Sequence, residues 1–269
     1  MNESEYVVKD CIEKLYDFRS KIPANLAVEK VKEIWQINIP KEEIPKIAEF
    51  KQGIIKRKVV IAEDCIEWLL FKPWVKFVGI SGSVASEFAR EDDDIDLFIV
   101  VKNDTAWIYR LYVYFRNIFK HRVRSKKKED NEINVKDKLC INFITEQRAL
   151  HFENDVFNLN EILYIKPIYN RNFLRLIFLS NPWLKDAYRV SDKYLDVDRL
   201  KVGDIKELTK RNYLLFIFNF IAFLGQLLFM IVTRHQPDLK RLSEGFKEGR
   251  IEFYPKEFKK SKMGKFRED

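Results

Sequence analysis

No feature of this 269-residue chain constrains its fold more than Gly79-Ile80-Ser81-Gly82-Ser83 followed, after a polar turn, by Asp94-Ile95-Asp96. Residues 75–80 are mostly β-branched and aromatic, which predicts a buried strand that breaks at Gly82-Ser83. Two small residues there let a backbone approach phosphate oxygens closely, and the chain then turns into a helix whose N–H groups attract anions. A second strand opens with Asp94 and Asp96, which share a face because strand side chains alternate with period two. Ile95 and Leu97 then point to the core. Paired carboxylates at a strand mouth repel one another unless a cation lies between them, and oxygen ligation near phosphate favours Mg2+ (or Mn2+). That combination points to phosphoryl-transfer chemistry. A Walker A loop is excluded for want of Gly-Lys-Ser/Thr, and a serine-hydrolase elbow for want of the final glycine of its motif.

At Gly82, Ser83, Asp94 and Asp96 the chain resembles the DNA polymerase β-like nucleotidyltransferase superfamily, whose signature is a Gly-Ser on a strand-to-helix turn and an Asp-x-Asp about ten residues later. A wider pattern resembles a bacterial and archaeal nucleotidyltransferase-like branch: Trp107-Ile108-Tyr109-Arg110, Cys140-Ile141-Asn142-Phe143 and Phe253-Tyr254-Pro255 stand where that branch has its motifs. The resemblance implies an α+β fold, a small core of mixed sheet with flanking helices, and a mainly helical remainder. It implies a transferase that moves NMP from an NTP (ATP among them) to an acceptor hydroxyl on an RNA end, a protein or a small molecule. Asp94 and Asp96 become the metal ligands, and Gly82 and Ser83 the nucleotide-binding residues. The superfamily adds a third acidic residue on the third strand, and this chain is expected to place Asn142 there. An amide carries no charge and accepts no proton, so weak catalysis, or nucleotide or RNA binding without turnover, is the alternative. Asp137 and Glu146 bracket that strand and are expected to be solvated at its ends, with substitution for the third carboxylate, given a suitable register or bend, as the alternative.

The order of elements sets the organisation. Apolar residues at helical spacing occur over 5–19, 26–37 and 42–71. Asp104 is expected to cap a helix over 105–120 with Trp107, Leu111, Phe115 and Ile118 on one face, and a third strand follows over 138–144. The expected division is a helical region 1–59, the core 60–145, an all-helical part 146–254 and a basic tail 255–269. The segment 120–128 has six Lys or Arg in nine residues, and Arg122, Arg124, Lys126, Lys127 and Lys128 are candidates for nucleic-acid contact beside the site. The balance of 49 Lys and Arg against 41 Asp and Glu, net +8, suits an anionic partner without requiring one. Three well-separated cysteines argue for a reducing compartment and against a zinc site. With a polar, acidic start unlike a signal peptide, they lead to a cytoplasmic expectation.

Residues 213–233 form an apolar run long enough to span a bilayer. Asn219, Gly225 and Gln226 interrupt it, and basic residues flank both ends, so no orientation follows. A packed helix with its amides hydrogen-bonded is expected. A membrane anchor or membrane-surface helix is the alternative.

Overall fold

A computed structural model describes residues 43–87, 89–124, 135–154, 158, 161–162, 164–184, 208–233 and 238–253. The helices expected over 5–19 and 26–37, the lysines 126–128 and the tail 255–269 lie outside the described residues. Helices α1 (Glu43–Asp64) and α2 (Ile66–Leu69) lead into β1 (Val75–Ile80), the short α3 (Gly82–Ala85), β2 (Ile95–Val101), α4 (Ala106–Lys120) and β3 (Leu139–Glu146). After them come β4 (Lys166–Tyr169), α5 (Leu174–Leu179), α6 (Tyr213–Val232), α7 (Leu239–Glu248) and β5 (Arg250–Glu252). The five strands form one mixed sheet in the order β4-β1-β2-β3-β5. Only the β2–β3 pair is parallel, with α4 as its crossover.

Period-two alternation explains why β2 reads as a continuous apolar run. Ile95, Leu97, Ile99 and Val101 face a cluster with Trp68, Leu69, Trp107 and Tyr109, whereas Phe98 and Val100 face Phe77, Phe143, Phe152, Phe173 and Ile177. Both faces of the sheet are covered, so neither set is polar. The region 146–254, expected to be all helical, supplies both edge strands as well as α5, α6 and α7. Four-residue β4 and three-residue β5 are too short to show a period in the sequence.

Helix α4 departs from expectation at its start and on its face. Asp104 does not cap it; this residue is buried at φ +63° and accepts from Arg211 Nη2 at 2.8 Å and the Asn212 N–H at 3.0 Å. The free N–H groups of the first turn go elsewhere. Glu146 accepts those of Thr105 (3.1 Å) and Ala106 (3.3 Å), and Asn219 Oδ1 those of Trp107 (2.8 Å) and Ile108 (3.2 Å). Glu146 is therefore buried and capping, also paired with Arg148 at 2.9 Å, rather than solvated. Of the four residues expected on one face of α4, Trp107 is buried together with Tyr109 and Val113, while Phe115 and Ile118 are 55% and 49% exposed.

Helix α6 is the one described helix long and apolar enough to cross a membrane by length and composition. Its inner stripe is Asn219, Ala222, Phe223, Gln226 and Met230. Gln226 donates to the Trp107 carbonyl (2.8 Å) and accepts from Arg110, whose guanidinium lies 4.5 Å from the Phe253 ring. Burial pushes Arg110 down to about 10. The Trp-x-x-Arg and Phe253 motifs thus meet around one amide, locking α6 to α4, and Phe246 of α7 stacks on Phe223 at 4.9 Å. The expected hydrogen bonds of Asn219 and Gln226 are present, but the outer half of α6 is covered by nothing among the described residues.

Candidate active site

The turn from β1 into α3 and the mouth of β2 are built together. The Ser81 N–H donates to the Asp96 carbonyl at 2.9 Å, fixing the end of β1 against the start of β2. Gly82 follows at φ +63°, and a Cβ there would overlap the Asp96 carboxylate. Glycine is required on two independent counts, the left-handed backbone and the approach of Asp96. The Ser81 hydroxyl is buried in this turn with no hydrogen-bond partner among the described residues. Ser83 Oγ donates to Asp93 Oδ2 at 3.1 Å, and the Arg90 N–H to the same oxygen at 2.8 Å. Burial raises the Asp93 carboxyl above its ordinary value, against the pull of those two donors.

Asp94, just before β2, and Asp96, its second residue, bring their carboxylates to one place. The third group beside them is a thiol. Asp94, Asp96 and Cys140 each offer a ligand atom, all within 4.8 Å of one another, an arrangement that could hold a metal ion. Asp96 pairs with Cys140 across the parallel β2–β3 ladder, and the next pair is Phe98 with Phe143. That shift leaves one extra residue in β3 at Ile141–Asn142, so Cys140, not Asn142, is the residue paired with Asp96. Cys140 is only 3% exposed, and burial together with the charges of Asp96 and Asp94 pushes its thiol far above the usual range. Its soft sulfur is a poor ligand for a hard cation. Arg124 lies on the other side, its Nη1 2.8 Å from Asp94 Oδ2.

A buried cation holds the polar turn between α3 and β2. Lys58 of α1, fully buried, donates to the carbonyls of Glu91 and Asp93 and to Asp137 Oδ1 at 2.8 Å. Asp137, with Arg57 also 3.6 Å away, is ion-paired rather than merely solvated. Lys58 fixes the turn that delivers Asp94. It escapes a reading of the sequence for chemistry, although it stands on the stripe Ile54, Ile55, Ala62, Cys65 where every neighbour is apolar and buried. The basic segment runs beside the site: Val123 forms a parallel bridge with Leu139, and the Arg122 carbonyl accepts the Leu139 N–H at 3.0 Å. Of the five basic residues singled out, Arg122 and Arg124 are described, and Arg124 reaches a carboxylate of the site.

A left-handed glycine turn is set against an Asp-x-Asp at a strand mouth, on a mixed sheet backed by helices, the arrangement that the resemblance to nucleotidyltransferases implies. Residues 62–166 match the family described as Nucleotidyltransferase domain, consistent with the polymerase β-like superfamily. This stretch of the chain, from the end of α1 to the first residue of β4, is the part that is similar to a nucleotidyltransferase domain, and it contains every site residue from Gly82 to Cys140. Domains of this family take an NTP and typically use divalent metals. No curated protein and no solved structure matches the chain.

Proposed function

We propose that this protein transfers NMP from an NTP to an acceptor hydroxyl, using Asp94 and Asp96 to hold one or two magnesium or manganese ions. The single observation that carries this is the contact between the Gly82 turn and Asp96, which sets a phosphate-accepting backbone directly against a metal-binding carboxylate. The donor set fits a hard cation: two carboxylates beside a buried thiol, with an orphaned Ser81 hydroxyl in the adjoining turn. When bound, such ions neutralise charge on the transferring phosphate and lower the pKa of the attacking group. In this proposal the Gly82 and Ser83 backbone takes the phosphates, and Ser83 orients Asp93 rather than donating its hydroxyl to the nucleotide. Arg124, now paired with Asp94, would be released to pair with phosphate if a cation took its place on that carboxylate. The acceptor, an RNA end, a protein or a small molecule, and a cytoplasmic setting complete the proposal.

A second reading, nucleotide binding without turnover, is favoured by Cys140 at the place paired with Asp96. A buried thiol stands there in place of a carboxylate base, and general-base help is typically worth 10²–10⁴-fold. Incubation with each α-labelled NTP, Mg2+ or Mn2+, and total RNA or protein separates the two. Label transfer that Asp94→Asn with Asp96→Asn abolishes supports the transferase. Metal-dependent NTP binding with no transfer, even in Cys140→Asp or Asn142→Asp, identifies the binding module. Loss of neither binding nor transfer in the double variant would sink the site.

A further inference from the structure

Half the circumference of α6 is apolar and covered by nothing among the described residues. Leu214, Ile217, Phe218, Ile221, Leu228 and Phe229 are between 50% and 64% exposed, and at 100° per residue they fall on one side of the helix. The surface continues onto α4, where the Tyr114 ring, 5.7 Å from Phe229, joins Phe115 and Ile118. Side chains this exposed along a helix about 30 Å long leave an apolar area on the order of 1,000 Å² or more, against roughly 300–600 Å² for the largest patch of a typical monomer.

Charge decides what covers this face. No Asp or Glu occurs between Glu207 and Asp238, or anywhere in α4, while Lys210-Arg211 and Arg234 flank α6 and Lys120-His121-Arg122 end α4. A second copy seated across a two-fold axis would set these basic ends against one another with no acid on either helix to answer them. A spanning helix is equally at odds with the packing. Gln226 and Asn219 are committed to the α4 backbone, and α7, with Lys240, Arg241, Glu244, Lys247 and Glu248, packs on α6 through Phe246 and would be drawn to hydrocarbon depth. Arg211 is answered by Asp104, but Lys210, Lys120 and Arg122 leave the ends of the apolar face net basic, which fits the surface of a bilayer with anionic headgroups.

We propose that the protein docks on anionic membrane surfaces by the outer face of α6 and the adjoining end of α4, with α6 lying in the plane of the interface and the nucleotidyltransferase domain held above it. Flotation of the purified full chain with phosphatidylcholine vesicles carrying about 30 mol% phosphatidylglycerol, and with phosphatidylcholine alone, tests this. The chain should float with the anionic vesicles, far less with the neutral ones, and be released by carbonate. Ile221→Glu with Leu228→Glu should lower the bound fraction about tenfold or more, with thermal unfolding and metal-dependent NTP binding unchanged. Three outcomes overturn the proposal: no flotation with anionic vesicles, carbonate-resistant retention, or a concentration-dependent dimer that floats with neither and that the double variant splits. NTP binding is read separately, so its failure would count against the site and not against this surface.

Discussion

At the scale of the residue, the site depends on what is missing from position 82. Gly82→Ala must hold a left-handed backbone that costs an L residue roughly 1–2 kcal/mol, and its methyl must displace the Asp96 carboxylate. The expected outcome is modest destabilisation with loss of metal-dependent NTP binding, measured by thermal unfolding and nucleotide titration on the same sample. Unchanged binding would detach Asp96 from the nucleotide. Lys58→Met is the complementary case, because it removes a cation that donates to two carbonyls and a carboxylate. Asp137 keeps Arg57 and some solvent, so the loss should be about 1–3 kcal/mol in denaturant unfolding, with weakened metal binding as the turn before Asp94 loosens. The Gly82–Asp96 relation was legible in the sequence because a Gly-Ser turn and alternating acids each announce their geometry. Cys140 was not legible. A residue inserted in β3 leaves no mark on a run as apolar as Leu139 to Ile144, yet it decides which side chain stands beside Asp96.

At the scale of the element, α4 begins without a cap of its own and borrows one from β3 and one from α6. Asn219→Leu should therefore cost on the order of 1–3 kcal/mol, since it strands two buried N–H groups, and amide exchange should rise first at Trp107 and Ile108. The Glu146 cap has a pH signature. Burial raises its carboxyl above the ordinary range, outweighing Arg148 and the N–H donors that pull it down. A carboxyl raised on folding contributes stability that is fully present below its unfolded value and lost as pH rises through its folded value. The stability advantage of the wild type over Glu146→Gln should accordingly shrink as pH rises above the ordinary carboxylate range, read from unfolding midpoints. A widening gap would reverse the assignment. Sequence spacing located α4 but misjudged Asp104 and Glu146: Asp104 is taken by Arg211 and Asn212, 107 and 108 positions away, and Glu146 by the N–H groups of Thr105 and Ala106, 41 and 40 positions away.

At the scale of the molecule, the family match ends where the sheet does not. Residues 62–166 hold β1, β2 and β3 but only the first residue of β4, and they lack β5, α6 and α7. That fragment should show no cooperative thermal transition by circular dichroism, since both edges of its sheet and the amide cap of α4 are removed; a sharp melt would mark the later elements as an appendage. The same layout has a consequence in time. The strand that closes the β3 edge is made from residues 250–252, so the inner strands wait, edge open, while more than a hundred further residues are synthesised. Pairings this distant are slow to form, and an unpaired inner edge invites association with other nascent chains. The protein completes its sheet only once nearly all of the described chain has left the ribosome, which makes the rate of its own synthesis a determinant of its yield.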